Sequence, residues 1–243
     1  MTMKKQIILL AMMLLPMVAG AENVEINGIW YELASAGKWA RVIQKPNYEY
    51  YKGSVDIPES VTYGGTEYRV EIIESSAFRG CNELTSITIP NSISNIGSYA
   101  FQGCTGLTSI TIPNRVSDIS NYAFSGCTGL TSITIPSSVK TISDHAFYGC
   151  TSLTSISIPN SLTKIGDNAF SGTGWYNDHP DGIMYLGNWL IGYKGETLTG
   201  HWSIPEGIIG IAGSAFKDCS GITSLTIPNS VRYIGYSAFY GCI

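Results

Sequence analysis

The sequence predicts a β-rich repeat solenoid, and three observations carry the prediction. Leu84-Thr85-Ser86-Ile87-Thr88-Ile89-Pro90 returns at Leu107–Pro113 and Leu130–Pro136, with Ser157 for Thr at Leu153–Pro159, and in variant form at Ile222–Pro228. An Ala-Phe pair marks a later point of each unit, at Phe78, Phe101, Phe124, Phe147, Phe170, Phe216 and Phe239; the step is 23 residues, except from Phe170 to Phe216, where it is 46. The chain is rich in Ile, Thr, Tyr and Ser, with 27 Gly and 10 Pro as turn punctuation, a β-prone composition. One such unit cannot bury its apolar face alone, whereas stacked units share a continuous core.

Within a unit, Leu84, Ile87 and Ile89 form an L-x-x-I-x-I pattern. It reads as a strand whose apolar residues alternate inward near its end. Thr88 falls between two inward positions and so points outward, giving an outward row of Thr88, Thr111, Thr134, Ser157 and Thr226. Ser86, Ser109, Ser132, Ser155 and Ser224 form a second row. Pro90 lacks an N–H for the ladder and ends the strand. Ile93 and Ile96 turn the apolar face back inward. Gly97 fits a tight corner, but Ser120 and Ser143 stand there in the next units, which argues against a strict need for positive φ. Ala100-Phe101 supplies a small and a large core residue, and Gly103-Cys104 closes the coil.

Cys81, Cys104, Cys127, Cys150, Cys219 and Cys242 all stand three residues after a repeat Phe. One equivalent position per coil stacks them at roughly 4.8 Å with parallel side chains, a poor match to disulfide geometry. They read as small buried residues with free thiols. Thr173 takes this position in one unit, so no thiol is required there. Zinc wants four convergent ligands, and no His accompanies the ladder.

Two segments depart from the repeat. Residues 22–68 contain Ile29-Trp30-Tyr31, Trp39, an aromatic run at 48–51 and turn signals at Gly53 and Gly64-Gly65. They read as two or three antiparallel strands that cap the open end of a solenoid over 69–243. The step from Pro58 to Pro90 leaves a nine-residue insert in the first coil. The second departure, residues 175–199, fills one repeat's length. Ile183–Leu186, Gly187-Asn188 and Trp189–Tyr193 read as a β-hairpin with a two-residue turn. Inserts of this kind often project from a binding face. Trp175, Tyr176, Asp178, His179 and Tyr185 are therefore the candidate ligand contacts here, with Thr88, Thr111 and Thr134 on the strand face.

Residues 1–21 read as an export signal: Lys4 and Lys5, an apolar run from Ile7 to Leu15, and the small-residue site Ala19-Gly20-Ala21. Its removal leaves 222 residues (243 − 21), takes the net charge from −4 to −6 and leaves no second apolar stretch of spanning length. A mildly acidic chain without a basic run lacks the footprint of a nucleic-acid binder. No Ser-His-Asp set, H-E-x-x-H, phosphate loop or dinucleotide fingerprint can be assembled. His145 stands where other repeats have Tyr122 or Asn168, which marks a variable surface site. Asp178 and Asp181 are too few oxygens for calcium. No cofactor and no enzyme activity are expected. Ile243 follows directly on the last ladder cysteine, leaving the last coil to be covered by more chain, a partner or a second copy stacked end to end.

The consensus L-T-S-I-T-I-P-x-S-V-x-x-I-x-x-x-A-F-x-G-C resembles the BspA-like class of leucine-rich repeats, over about Val70 to Cys242 apart from the insert. The resemblance implies stacked short parallel strands with turns opposite. It also implies an exported or cell-surface bacterial protein that binds host or bacterial surface macromolecules, a protein or glycoprotein ligand above all. A carbohydrate-binding accessory role through the aromatics near Trp30 and Trp175, or a spacer without ligand, are the alternatives.

Overall fold

The computed structural model describes residues 21–47, 49–196 and 198–242. The expected export signal lies outside them except for Ala21. At the N-terminal end, β1 (Ala21–Ile26), β2 (Ile29–Ala34) and β3 (Trp39–Val42) form an antiparallel meander. Asn27-Gly28 makes the first turn with φ of 51° and 82°, the left-handed pair that a two-residue hairpin needs. Strand β4 (Gly53–Asp56) follows, and then β5 (Ser60–Tyr63) and β6 (Thr66–Ile73) form a hairpin around Gly64-Gly65, which fills the nine-residue excess of the first coil. Strand β6 spans the border expected at residue 68. It pairs in parallel with β3, so meander and solenoid share one sheet.

Two parallel ladders run along the coils. The first comes from the L-x-x-I-x-I motif: β7 (Leu84–Thr88) on β4, then β10 (Ser132–Thr134) on β12 (Ser155–Ser157). The second comes from the corner after Pro90. Here β8 (Asn95–Ile96), β9 (Asp118–Ile119), β11 (Thr141–Ile142) and β13 (Lys164–Ile165) extend from β6 and complete a nine-stranded sheet. The continuous sheet thus runs through the corner, and Thr108–Ile112 of the expected strand face carries no strand at all. The corner prevails because Ile96, Ile119, Ile142 and Ile165 are buried in register, one above the next.

The left-handed positions fall in the turn around Ala-Phe, away from the Gly97 corner. Tyr99, Tyr122, His145 and Asn168 have φ between 51° and 61°, and Gly103, Gly126, Gly149 and Gly172 between 70° and 73°. This backbone alternates its amides. Tyr99, Phe101 and Gly103 donate to Asn121, Ala123 and Ser125 of the next coil, while Ala100, Gln102 and Cys104 bond within their own. The Phe rings consequently stack: centroids are 5.1 Å apart for Phe78–Phe101, 5.3 Å for Phe101–Phe124, 5.4 Å for Phe124–Phe147 and 5.6 Å for Phe147–Phe170, within 6° of parallel. Each fully buried ring contributes on the order of 1.5–3 kcal/mol. The thiols of Cys104, Cys127 and Cys150 donate to the carbonyls of Phe78, Phe101 and Phe124, one coil back.

After Phe170 the pattern changes. Helix α1 (Gly174–Asp178) leads into the hairpin β14 (Gly182–Leu186) and β15 (Trp189–Lys194). The hairpin is built into the wall: Trp189 and Leu190 pair in parallel with β17 (Gly210–Ile211), which pairs with β19 (Tyr233–Ile234). Strands β16 (Gly200–Ser203) and β18 (Ile222–Thr226) resume the first ladder. The buried core falls into two clusters here, one running past Phe170 and Trp189 to Ile191 and Ala212, the other centred on Leu190, Ile211 and Phe216.

Candidate functional site

Two features stand out on this scaffold, a hydroxyl-bearing strand face and the region of the insert. On the strand face, Thr88, Thr111 and Thr134 are all exposed, as are Ser157 and Thr226. Alternation along the ladder places them between inward aliphatic residues, as in Ser132↔Ser155, Ile133↔Ile156 and Thr134↔Ser157. The row of Ser86, Ser109, Ser132, Ser155 and Ser224 is exposed beside it, and Thr85, Thr108, Thr131 and Thr154 add a third. Hydroxyls bond along the stack at both ends. Ser86 donates to Ser54 Oγ at 2.9 Å, and His201, which replaces a row serine, lies 2.7 Å from Ser224 Oγ. The face carries few charges, so it offers donors and acceptors without a strong field.

The insert residues do not converge. Thr173 caps α1: its hydroxyl accepts from Tyr176 N at 3.1 Å and donates to Phe170 O at 2.8 Å. This explains the missing thiol there, since an oxygen caps a helix better than a sulfur. Trp175 packs edge-on against Phe170, and His179 edge-on against Trp175 at 5.7 Å. His179 Nδ1 lies 2.8 Å from Pro180 O, and Lys194 donates to the carbonyls of Asn177 and His179. Asp178 is exposed at the end of the helix. Tyr176 turns inward, and burial pushes its hydroxyl pKa up. Tyr185 lies on β14 against the second core cluster, its hydroxyl raised by burial as well. The five residues thus divide among a half-buried Trp175–His179 pair, an exposed helix end at Asp178, a half-buried Tyr176 and a strand. Among the described residues no group of three or more His, Cys, Asp or Glu converges.

His145 is not a simple surface residue. It is half-buried, stacked on Tyr122 at 4.6 Å, and Tyr122 stacks on Tyr99 at 4.9 Å, with the Arg79 guanidinium over the Tyr99 ring. The rings stand in register because the left-handed residue before Ala-Phe recurs in every coil. Beside them, Asn121 Oδ1 accepts from Asp144 N at 3.1 Å and Asp144 Oδ1 from Asp167 N at 2.9 Å. Burial, and then the Asp144 charge, hold the Asp167 carboxyl above its ordinary range.

Sequence reasoning missed a cavity of about 140 Å³ beside Phe170, lined by Tyr176, Ile191, Tyr193, Ala215 and Cys219 among others. The signal for it was the doubled Phe step.

The family described as BspA type leucine rich repeat region matches the chain in six copies, over residues 54–178 and 193–243. A leucine-rich repeat protein of T. pallidum is similar in structure, with 25% identity, a TM-score of 0.59 and coverage of 91% of this chain and 89% of that one. A leucine rich cell surface protein of Faecalibacterium prausnitzii has 25% identity and a TM-score of 0.53, over 90% and 74% of the two chains. A leucine-rich repeat protein of Bacteroides ovatus, at 23% identity and a TM-score of 0.54 over 90% and 80%, shares the fold. No curated protein matches the chain by sequence.

Proposed function

Because the chain belongs to the BspA-type leucine-rich repeat family, we propose that it is an exported, non-catalytic binding protein that adheres to macromolecules of host or bacterial surfaces through its hydroxyl-bearing strand face. The observation that carries this reading is the exposure of Thr88, Thr111 and Thr134 in one row across successive coils. An array of short hydroxyls suits an extended protein or glycoprotein partner, because many weak hydrogen bonds act together while little side-chain entropy is lost. The similar surface protein of F. prausnitzii supports a cell-surface location. No described helix is long and apolar enough to cross a membrane. Trp175 contributes at the rim, since its ring is only half-buried.

The test is surface plasmon resonance of residues 22–243 over immobilised matrix and plasma glycoproteins, beside a glycan array. Binding to at least one glycoprotein is expected. The triple variant Thr88→Lys, Thr111→Lys, Thr134→Lys is expected to weaken it at least about tenfold at unchanged thermal stability. Binding confined to free glycans, or equal binding by the variant, would overturn the reading.

Self-association is a second reading with its own observation. Tyr236 and Tyr240 on the last described coil are 82% and 66% exposed, with Ile234 beside them. A second copy stacked on this end would cover them. Light scattering is expected to show a concentration-dependent dimer that Tyr236→Glu returns to monomer; a monomer at all concentrations refutes it.

A further inference from the structure

The amide ladder of the Ala-Phe turns is broken once inside the stack, between residues 168–172 and 213–217. In an intact pair the two walls are of opposite kind: His145, Phe147 and Gly149 donate their amides, and Asp167, Ala169 and Ser171 accept through their carbonyls. The next donors in the series are the amides of Asn168, Phe170 and Gly172, and among the described residues none of them has an acceptor. The carbonyls of Gly213, Ala215 and Lys217, equivalent to those of Asp167, Ala169 and Ser171, receive no donor among the described residues. Yet the two coils touch at the corner, where Gly213 N donates to Ile165 O at 3.1 Å, and Ile191 and Ala212 carry the core across beneath. The opening is therefore confined to the turns. It is the cleft of about 140 Å³, lined by main chain of both turns and by Ile191 and Ala212. Phe170, Gly213 and Ala215 are buried, and buried N–H and C=O groups are as a rule paired, so a polar partner belongs here.

We propose that this break binds the main chain of a peptide, whose amide groups enter between the two turns as the missing rung of the ladder. The first argument is the polarity of the walls. One offers only donors and the other only acceptors, and a peptide group, with C=O and N–H pointing in opposite directions, satisfies both at once. An anion would suit the amides and be repelled by the carbonyls, and a cation the reverse. The second argument is that the chain leaves this rung empty. Gly192 and Tyr193 stand 23 residues after Ala169 and Phe170, where the period would put the next Ala-Phe turn, but they are drawn into the β14–β15 hairpin. The third is size. A cavity of about 150 Å³ holds six carbon atoms, so the cleft takes roughly one residue with a small side chain at depth and leaves its neighbours at the mouth. The site is separate from the hydroxyl face and stands or falls without it.

The peptide groups can come from an internal segment of a protein or from a short free peptide. N-acetyl-triglycine amide stands for the first and free triglycine for the second. N-acetyl-trisarcosine dimethylamide, which keeps the carbonyls and lacks every N–H, is the control. Titrated into residues 22–243 and followed by amide NMR, at least one triglycine is expected to move the resonances of Asn168, Phe170 and Gly172 and to slow their hydrogen exchange. Tighter binding of the capped form marks a protein segment, and tighter binding of the free form a short peptide. Ser171→Tyr places a large side chain on the lining of the cleft, at a repeat position that Tyr148 and Tyr240 already occupy, and is expected to weaken the binding at least about tenfold. If that variant fails to fold, the titration of the unaltered chain still decides. No shift with either triglycine at millimolar concentration, an equal response to the sarcosine control, or shifts confined to the hydroxyl face around Thr88 and Thr111 would each overturn the proposal.

Discussion

The Phe124 ring lies 5.3 Å from the Phe101 ring and 3° from parallel, and 5.4 Å from Phe147 on its other side. Truncation therefore removes contacts with two neighbours and leaves a void that a turn tied by amides on both sides cannot collapse. Phe124→Ala is expected to cost about 3–5 kcal/mol in urea unfolding. Tyr240→Ala, at an exposed ring, is expected to stay within about 0.5 kcal/mol. Similar costs for the two would contradict a buried column.

Burial, and then the neighbouring Cys81 thiol, push the Cys104 thiol far above its ordinary range, and burial does the same to the hydroxyls of Tyr31 and Tyr51. A group raised on folding contributes its full stability below its unfolded pKa and loses it progressively as pH rises toward the folded one. Unfolding free energy is thus expected to be level at neutral pH, to fall above about 8.5 as unfolded cysteines ionise, and to fall more steeply past about 10 with the tyrosines. Urea titrations between pH 7 and 11 check the sign. Iodoacetamide at pH 8 is expected to label Cys104 only on unfolding.

Thr173 holds the first turn of α1 through one oxygen. Thr173→Ala is expected to lower stability by about 1 kcal/mol and Thr173→Ser to leave it nearly unchanged. Thr173→Cys restores the residue of the other coils. It is nevertheless expected to destabilise, because sulfur accepts poorly from Tyr176 N. A stabilised Cys variant in thermal denaturation would refute the capping role.

Arg41 on β3 donates to Glu32 on β2 and, at 2.6 Å, to Glu74 beyond β6, tying the meander to the first coil. The group is partly exposed, so Arg41→Gln is expected to cost only about 0.5–1 kcal/mol, less at 1 M salt. An unchanged salt dependence would show that the charges contribute nothing.

The repeat and its inward residues were legible because stacking copies one residue into one place; Phe101 and Leu107 need no tertiary knowledge to be read as core. The exposure of Thr88 was legible for the same reason, through alternation. The corner ladder was not, since a two-residue bridge such as Asn95–Ile96 is too short to show a period. Nor was the left-handed backbone at Tyr99 and Tyr122, where an aromatic side chain gives no hint of positive φ. The Asn27-Gly28 turn between β1 and β2 was missed beside the signals at Gly53 and Gly64-Gly65, although Asn-Gly is an ordinary hairpin signal. Tyr176 could not be placed inward because a five-residue helix has no face to read.

The Ala-Phe turn of a coil gives alternate amides to the next coil and its corner gives amides to the coil before, so stability passes along the chain by nearest neighbours. Where Phe170 finds no acceptor, that coupling is interrupted. The two core clusters, which meet where Ile191 and Ala212 of the first adjoin Leu190 and Ile211 of the second, then need not melt together. Hydrogen exchange would divide the molecule into two cooperative blocks, the smaller opening first. A tether pulled from its far end would yield there before the long stack of rings gave way, an arrangement that lets a protein stretch under load without losing its longer block.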